Sequence, residues 1–365
     1  MATRTVLLNP GPVNLSERTR AAMSKPDLCH READFARLQS DIRSALLRVS
    51  NLSDTTHTCV LLSGSGTLAV EAMISSLVPR DGKVLVLANG IYGERMGAIV
   101  SAHAIPASHV TLPWGEPIDP AAVETALRSD PHVTHVTLVH HETTTGRLNT
   151  LPEVGRLCAE FGKSLLIDAV SSFGADALDF RADHITACAV SANKCLHGAP
   201  GLAFVIGARE TLEQSKGVRR SVYMDLHTHW IEQESGSCAF TPAVHLCYAL
   251  DEALREFSEQ GGQPARHKVY LERATLIRRR LEELGVQRYL TSGPLASSLT
   301  AFHLPKQTSY QMLHDRLRES GFVIYAGQGG LSQKIFRIAN MGDITAADLD
   351  KLFEALNRVL CVPSS

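Results

Sequence analysis

Over the first two-thirds of the chain, apolar residues fall in short unbroken runs, each closed by small or polar residues. Thr58 to Ser63, Val84 to Ala88, Val133 to His140, Ser164 to Asp168, Ile185 to Val190 and Gly201 to Ile206 are such runs. Runs this short and apolar throughout read as strands buried on both faces, as in a parallel sheet. Stretches of helical periodicity separate them: Asp34 to Val49, Leu68 to Val78 and Leu151 to Phe161. The alternation from about residue 58 to 206 predicts an α/β fold built on a mostly parallel, doubly wound sheet. The polar clusters fall just after strands, so they gather along the carboxyl edge where ligands bind in such sheets.

The rest of the pattern differs. An extended arm, Val6 to Pro12, and a short helix, Glu17 to Met23, precede the alternation. Ser221 to Cys238 is polar and reads as irregular. A long helix follows from Val244 to Glu259, then a break at Gln260 to Pro264 that reads as a hinge. Beyond it the pattern predicts a charged helix (Arg266 to Leu284), a strand (Ser298 to Leu304), a helix (Tyr310 to Ser320), strands at Phe322 to Tyr325 and Ile335 to Ile338, and a last helix, Ala346 to Leu360, capped by Thr345. The expected division is an arm at 1–20, a large domain at 21–258 and a smaller C-terminal α+β domain at 259–365.

Composition narrows the function. The 365 residues are 44% hydrophobic and 20% charged, with net charge -2, which gives no basic face for nucleic acid. No apolar run approaches the roughly 20 residues of a membrane helix, and the N-terminus has no signal pattern, so a cytoplasmic location is expected. The eight cysteines follow no metal-ligand or disulfide-framework spacing. No metal site is expected, although the pairs His140-His141 and His227/His229 are ligand types.

Two strand ends carry the candidate chemistry. Asp168 closes one apolar run, and Ser191-Ala192-Asn193-Lys194 closes the next. Burying a carboxylate or an ammonium there is costly unless it meets a partner. An amine that can form a Schiff base, beside a carboxylate that can pair with a ring nitrogen, suits pyridoxal 5'-phosphate. On these residues alone, a strand-end Asp capping a loop and a Lys on a solvated turn fit as well. Gly64-Ser65-Gly66-Thr67, between a strand and a helix, can hold an anion on free backbone N–H groups. Tyr92 follows another strand, where an aromatic can stack on a flat cofactor. Glu142-Thr143-Thr144-Thr145-Gly146 sets hydroxyls at a third strand end.

Taken in order, LLNPGP, GSGT with VEAM, NGIYGERM, HETTTG, IDAVSSFG, SANKC, FVIYAG and FRIANMG resemble the class V aminotransferases among the fold-type I pyridoxal-phosphate enzymes. Within that group the resemblance is to the 2-aminoethylphosphonate–pyruvate transaminases, with alanine–glyoxylate and serine–glyoxylate transaminases behind. It implies transfer of an amino group from 2-aminoethylphosphonate to pyruvate. Lys194 would be the Schiff-base lysine and Asp168 the partner of the pyridine nitrogen. Ser65, Gly66, Thr67 and Asn193 would hold the cofactor phosphate, Tyr92 would stack on the ring, and Thr143 would bond its hydroxyl side. Thr241 would reach the phosphate of a neighbouring subunit, which implies a homodimer with shared sites. Arg337 would bind the substrate acid group, with Gly11, His30 and Arg31 nearby and Lys334 a further candidate.

Cys29-His30-Arg31-Glu32 and the loop Gly327 to Lys334 depart from the pattern of the group, and both would lie near the substrate. An alanine– or serine–glyoxylate transaminase and an aminophosphonate lyase are therefore the alternatives. A cysteine desulfurase is disfavoured, because Gly327 to Lys334 contains no cysteine.

Overall fold

Seven strands form the central sheet, in the order His57–Ser63, Leu202–Ala208, Ile185–Ser191, Ser164–Asp168, His135–Val139, Val84–Ala88, Ala107–Thr111. The computed structural model describes residues 4–306 and 308–360. Leu202–Ala208 runs antiparallel to both neighbours, and the remaining pairs are parallel. Side chains alternate across the sheet as strand geometry requires. In Val84–Ala88, Leu85 and Leu87 enter the core on one face with Phe35, Ile42 and Leu46. Val84 and Val86 enter the core on the other face with Met73, Ile74 and Met96. Burial on both sides explains why these strands read as unbroken apolar runs. The edge strand Ala107–Thr111 is half-exposed and has no such run, so the pattern did not disclose it.

Register brings the chemistry to one edge. Val139 lies beside Asp168, and Asp168 lies beside Ala189. Ser191 pairs with Ala203, and Ser63 with Leu202. The segments that follow Ser63, Val139, Asp168 and Ser191 therefore leave the sheet on the same side.

A second sheet, Leu299–His303, Ile335–Ala339 and Tyr325–Ala326, is antiparallel throughout. Its core includes Phe302, Phe336, Leu313 and Leu352. The arm strand Val6–Leu7 pairs in parallel with Phe322–Val323, and Leu8 accepts a hydrogen bond from the Ala339 N–H at 2.7 Å. Val6 to Leu8 are thus tied to the C-terminal part of the chain before Pro10 and Gly11 reach the edge of the large sheet. The last helix, Ala346–Leu360, starts with reciprocal bonds between Thr345 and Asp348.

One expectation changes. Ser221 to Cys238 is not irregular throughout, because Leu226–Glu234 is helical. Its polar Gln233 is buried, and its amide bonds both the N–H and the C=O of Leu61, at 3.0 and 2.8 Å. Polarity that reads as solvation is spent on strand backbone. The break at Gln260 to Pro264 is a tight junction, with Gly261 left-handed at φ 96° and the next helix, Gly262–Glu283, starting at once. Among the described residues no helix is long and apolar enough to cross a membrane. Among them too, no three His, Cys, Asp or Glu side chains group to hold a metal ion.

Candidate active site

Asp168 is the last residue of its strand and is buried, and its Oδ1 accepts from the Val170 N–H at 2.9 Å. Burial pushes the carboxyl up to about 6, although that bond and the nearby Arg95 and Lys194 charges pull it down. Relative to 3.8, the shift costs roughly 3 kcal/mol. A charged hydrogen bond returns about 1.5–3 kcal/mol. A cationic N–H donor at this carboxylate would therefore offset most of the cost.

Lys194 follows the adjacent strand and is half-buried. Desolvation lowers its amine to about 8; Cys195 and Asp168 raise it, and Arg337 and Arg95 lower it. At pH 7 about a tenth of the molecules then carry the free amine, against roughly one in three thousand at the ordinary value of about 10.4. The arm closes over this amine, since Lys194 Nζ donates to the Pro10 carbonyl. Gly11 has φ 107°, and a Cβ there would strike the Lys194 side chain. Close approach and left-handed backbone both require glycine at this position.

The loop after Lys194 is held from behind. Arg266 is buried and donates to the Cys195 carbonyl at 2.5 Å and to Gln260 Oε1 at 2.9 Å. His197 Nε2 accepts from the Gly342 N–H at 2.9 Å and lies 2.6 Å from the Tyr270 hydroxyl.

The helix Gly66–Leu77 begins at the same edge. Its N-cap, Ser65, makes no side-chain capping bond, so N–H groups of the first turn keep donors for a ligand. A Cβ on Gly66 would meet Val170 Cγ1 at 2.8 Å and Ser191 Cβ at 3.3 Å. Ser191 Oγ is buried without a hydrogen-bond partner. Arg95 donates to Thr67 Oγ1 at 3.3 Å and lies 4.6 Å from the centre of the Tyr92 ring.

Glu142 organises the next part and had no role in the sequence reading. Its fully buried carboxylate accepts from Tyr92 N–H at 3.1 Å, Gly93 N–H at 3.2 Å, Thr144 N–H at 3.1 Å and Thr144 Oγ1 at 2.6 Å. It caps the helix Ile91–Ala102, whose N-cap Gly90 has no side chain, and thereby fixes the turn carrying Tyr92. A Cβ on Gly90 would strike Glu142. Desolvation raises Glu142 to about 6, and hydrogen bonds from Thr144 and Gly93 oppose it.

Thr143 contributes its backbone. Its carbonyl accepts from Arg337 Nη1 at 2.9 Å, Ala326 O accepts from Nε at 2.9 Å, and Gln328 Oε1 lies 3.3 Å from Nη1. The guanidinium in this apolar strand is therefore not unpaired. Arg337 is buried, yet its partners are neutral oxygens, and no carboxylate among the described residues lies within 4.0 Å of it. Burial lowers its pKa, against the raising effects of Tyr92 and Glu142.

A family model for aminotransferase class V matches residues 15–349. The chain belongs to the class V aminotransferases. It is 39% identical over 364 residues to a 2-aminoethylphosphonate–pyruvate transaminase of Pseudomonas putida GB-1, covering 99% of this chain and 98% of that one. The Pseudomonas aeruginosa PAO1 protein of the same name is 39% identical, with 97% and 96% covered. Among solved structures, an alanine–glyoxylate aminotransferase from Nostoc sp. superposes with TM-score 0.91 at 27% identity, covering 99% of this chain and 96% of that one.

Class V aminotransferases use pyridoxal 5'-phosphate, and the residues here fit it. A costly buried carboxylate waits for a cationic N–H, an amine of lowered pKa follows the adjacent strand, and an uncapped helix start lies between them and Arg95. Not every residue expected at the site joins it. Thr241 is exposed, Arg31 is exposed and His30 half-buried ahead of the helix Ala33–Val49, and Lys334 is exposed. None of the four side chains bonds Lys194, Asp168 or Arg337.

Two predictions follow from this geometry. In the cofactor-free protein, acylation of Lys194 should rise about tenfold per pH unit up to about pH 8 and then level off. Competitive labelling with peptide mapping reads this, and a plateau reached only near pH 10 would contradict it. Glu142→Gln keeps the shape but turns an –NH2 toward one pair of N–H donors. It should lower unfolding free energy by about 1–3 kcal/mol in urea titration; an unchanged midpoint would show that the cap is dispensable.

Proposed function

We propose that the protein transfers the amino group of 2-aminoethylphosphonate to pyruvate, giving phosphonoacetaldehyde and L-alanine. The observation that carries the reading is Arg337, a buried guanidinium with neutral oxygens around it, whose charge acts on Lys194. Each of the four molecules in this reaction except phosphonoacetaldehyde and 2-aminoethylphosphonate bears a carboxylate, and those two bear a phosphonate. One cation serves them in turn. The name shared by the Pseudomonas relatives supports the phosphonate.

When bound, pyridoxal phosphate supplies an aldehyde for the amine and a ring that takes up the electron pair left by a departing proton. Lys194 anchors it and carries that proton, which its lowered pKa permits near neutrality. Asp168 holds the ring nitrogen in its cationic form. Ser65, Gly66, Thr67 and Asn193 would bind the phosphate at the helix start, Tyr92 would cover the ring, and Thr143 would bond its hydroxyl side. Arg337 orients the acid group so that the amino-bearing carbon faces Lys194.

Thr241 belongs in this reading to the neighbouring subunit's phosphate site. Phe240 and Tyr223 beside it are exposed, with ring centres 5.1 Å apart, and Val222 is 82% exposed, an apolar surface suited to a second copy. The segment before His30 and Arg31 reaches the helix that follows Thr241, since Asp27 is 3.4 Å from His245 in the first turn of Val244–Glu259. The working protein is a homodimer. Five free thiols, Cys59, Cys158, Cys188, Cys195 and Cys247, are packed in the interior, which suits the cytoplasm.

The likeness to the Nostoc structure favours a second reading, alanine or serine with glyoxylate. A donor and acceptor panel separates the two. Alanine formed in step with phosphonoacetaldehyde is expected; activity confined to glyoxylate selects the second reading, and ammonia without a keto acid selects a lyase. Arg337→Lys keeps the charge but loses the planar fork. It should raise the apparent KM for 2-aminoethylphosphonate and for alanine about 10–100-fold. Unchanged values would make Arg337 structural.

A further inference from the structure

The loop Gly327–Ser332 lies over Arg337 and has no role in the reading above. Gly327 and Gly329 hold it tight: a Cβ on Gly327 would strike the Leu331 carbonyl, and one on Gly329 would meet Trp114 Cη2 at 2.8 Å. Trp114 is itself fixed, donating from Nε1 to Glu94 Oε1 at 2.6 Å. Gln328 N-caps the short turn Gly329–Leu331 and is half-buried. It supplies the side-chain oxygen that faces Arg337 Nη1 at 3.3 Å.

A guanidinium has donors only. The Gln328 amide must therefore turn its oxygen to Arg337, which leaves its –NH2 as a donor. Among the described residues that –NH2 makes no hydrogen bond. Being neutral, the amide orients Arg337 without cancelling its charge, as a glutamate would.

We propose that Gln328 reads the geometry of the substrate's acid group, resting on the assignment of Arg337 as its anchor. Nε and Nη1 of Arg337 already donate to Ala326 O, Thr143 O and Gln328 Oε1, which leaves Nη2 for the acid group, and its N–H bonds lie in the guanidinium plane. A carboxylate laid in that plane has no oxygen outside it. A phosphonate is tetrahedral and keeps an oxygen out of the plane, and the Gln328 –NH2 donates to it. The same site thus grips a phosphonate by one oxygen more than a carboxylate. The residue sets the preference for the phosphonate donor, and Arg337 sets the affinity for acids in general.

The test uses the cofactor-loaded protein and two inert probes, ethylphosphonate and propanoate, titrated by calorimetry. Gln328→Leu removes both amide functions at similar size. It should weaken ethylphosphonate about tenfold and change propanoate less than threefold. Gln328→Glu sets a carboxylate against Arg337 and should weaken both probes at least tenfold, ethylphosphonate more because it carries more charge. Equal losses for both probes in Gln328→Leu, or wild-type binding in both variants, would overturn the proposal, as would wild-type protein that binds neither probe. A wild-type protein that binds ethylphosphonate as expected but makes no phosphonoacetaldehyde refutes the proposed reaction and leaves the role of Gln328 standing.

Discussion

The structure depends on the cost of taking opposite charges out of water at the ends of neighbouring strands. Asp168 and Lys194 leave the sheet on adjacent strands, and burial pushes both toward their neutral forms. A sheet buried on both faces can tolerate this only where the chain supplies compensation. Here the compensation is partial: one backbone N–H for Asp168, and the Pro10 carbonyl for Lys194. What is left over is chemical readiness, an amine partly free near neutrality and a carboxylate waiting for a cation. The arm is essential to this balance. It is fixed to Phe322–Val323 by Val6–Leu7 and reaches the amine only because Gly11 has no side chain.

Around this pair the protein uses neutral groups to hold charged ones. Arg337 is oriented by carbonyls of Thr143 and Ala326 and by the Gln328 amide, so its charge stays available to a ligand. Arg266 is spent on the Cys195 carbonyl, which stiffens the loop beside Lys194. Glu142 is the complementary case, a carboxylate enclosed by N–H and O–H donors. It ties the helix of Tyr92 to the turn whose carbonyl holds Arg337. The cofactor-facing and acid-facing parts of the pocket thus share one buried anchor, and a disturbance at either should be felt at the other.

Much of this was legible in the sequence, for identifiable reasons. Strands such as Val84–Ala88 and Ser164–Asp168 have no polar face, so composition alone outlined them, and Asp168 and Lys194 stood out as charges closing apolar runs. Ala107–Thr111 escaped because an edge strand needs no apolar run. The helix Leu226–Glu234 escaped because its Gln233 bonds strand backbone, which looks like solvation in a sequence. Glu142 and Arg266 were invisible as working residues, since the helix start that Glu142 caps and the Cys195 carbonyl that Arg266 holds lie far along the chain from them. Arg337 was singled out, but its partners were not, because carbonyls leave no trace in side-chain pattern. Thr241, His30 and Arg31 mark the remaining limit, since none of their side chains bonds Lys194, Asp168 or Arg337 within the chain.

The central claim is that the buried Asp168 carboxylate keeps a ring nitrogen cationic inside the pocket. The most direct measurement is the 15N chemical shift of pyridoxal phosphate labelled at the ring nitrogen and bound to the wild-type protein. The account predicts a protonated nitrogen throughout pH 6 to 9, held there by a carboxylate that stays ionised once it has its cation. A nitrogen that is unprotonated at neutral pH, or that loses its proton within that range, would contradict it.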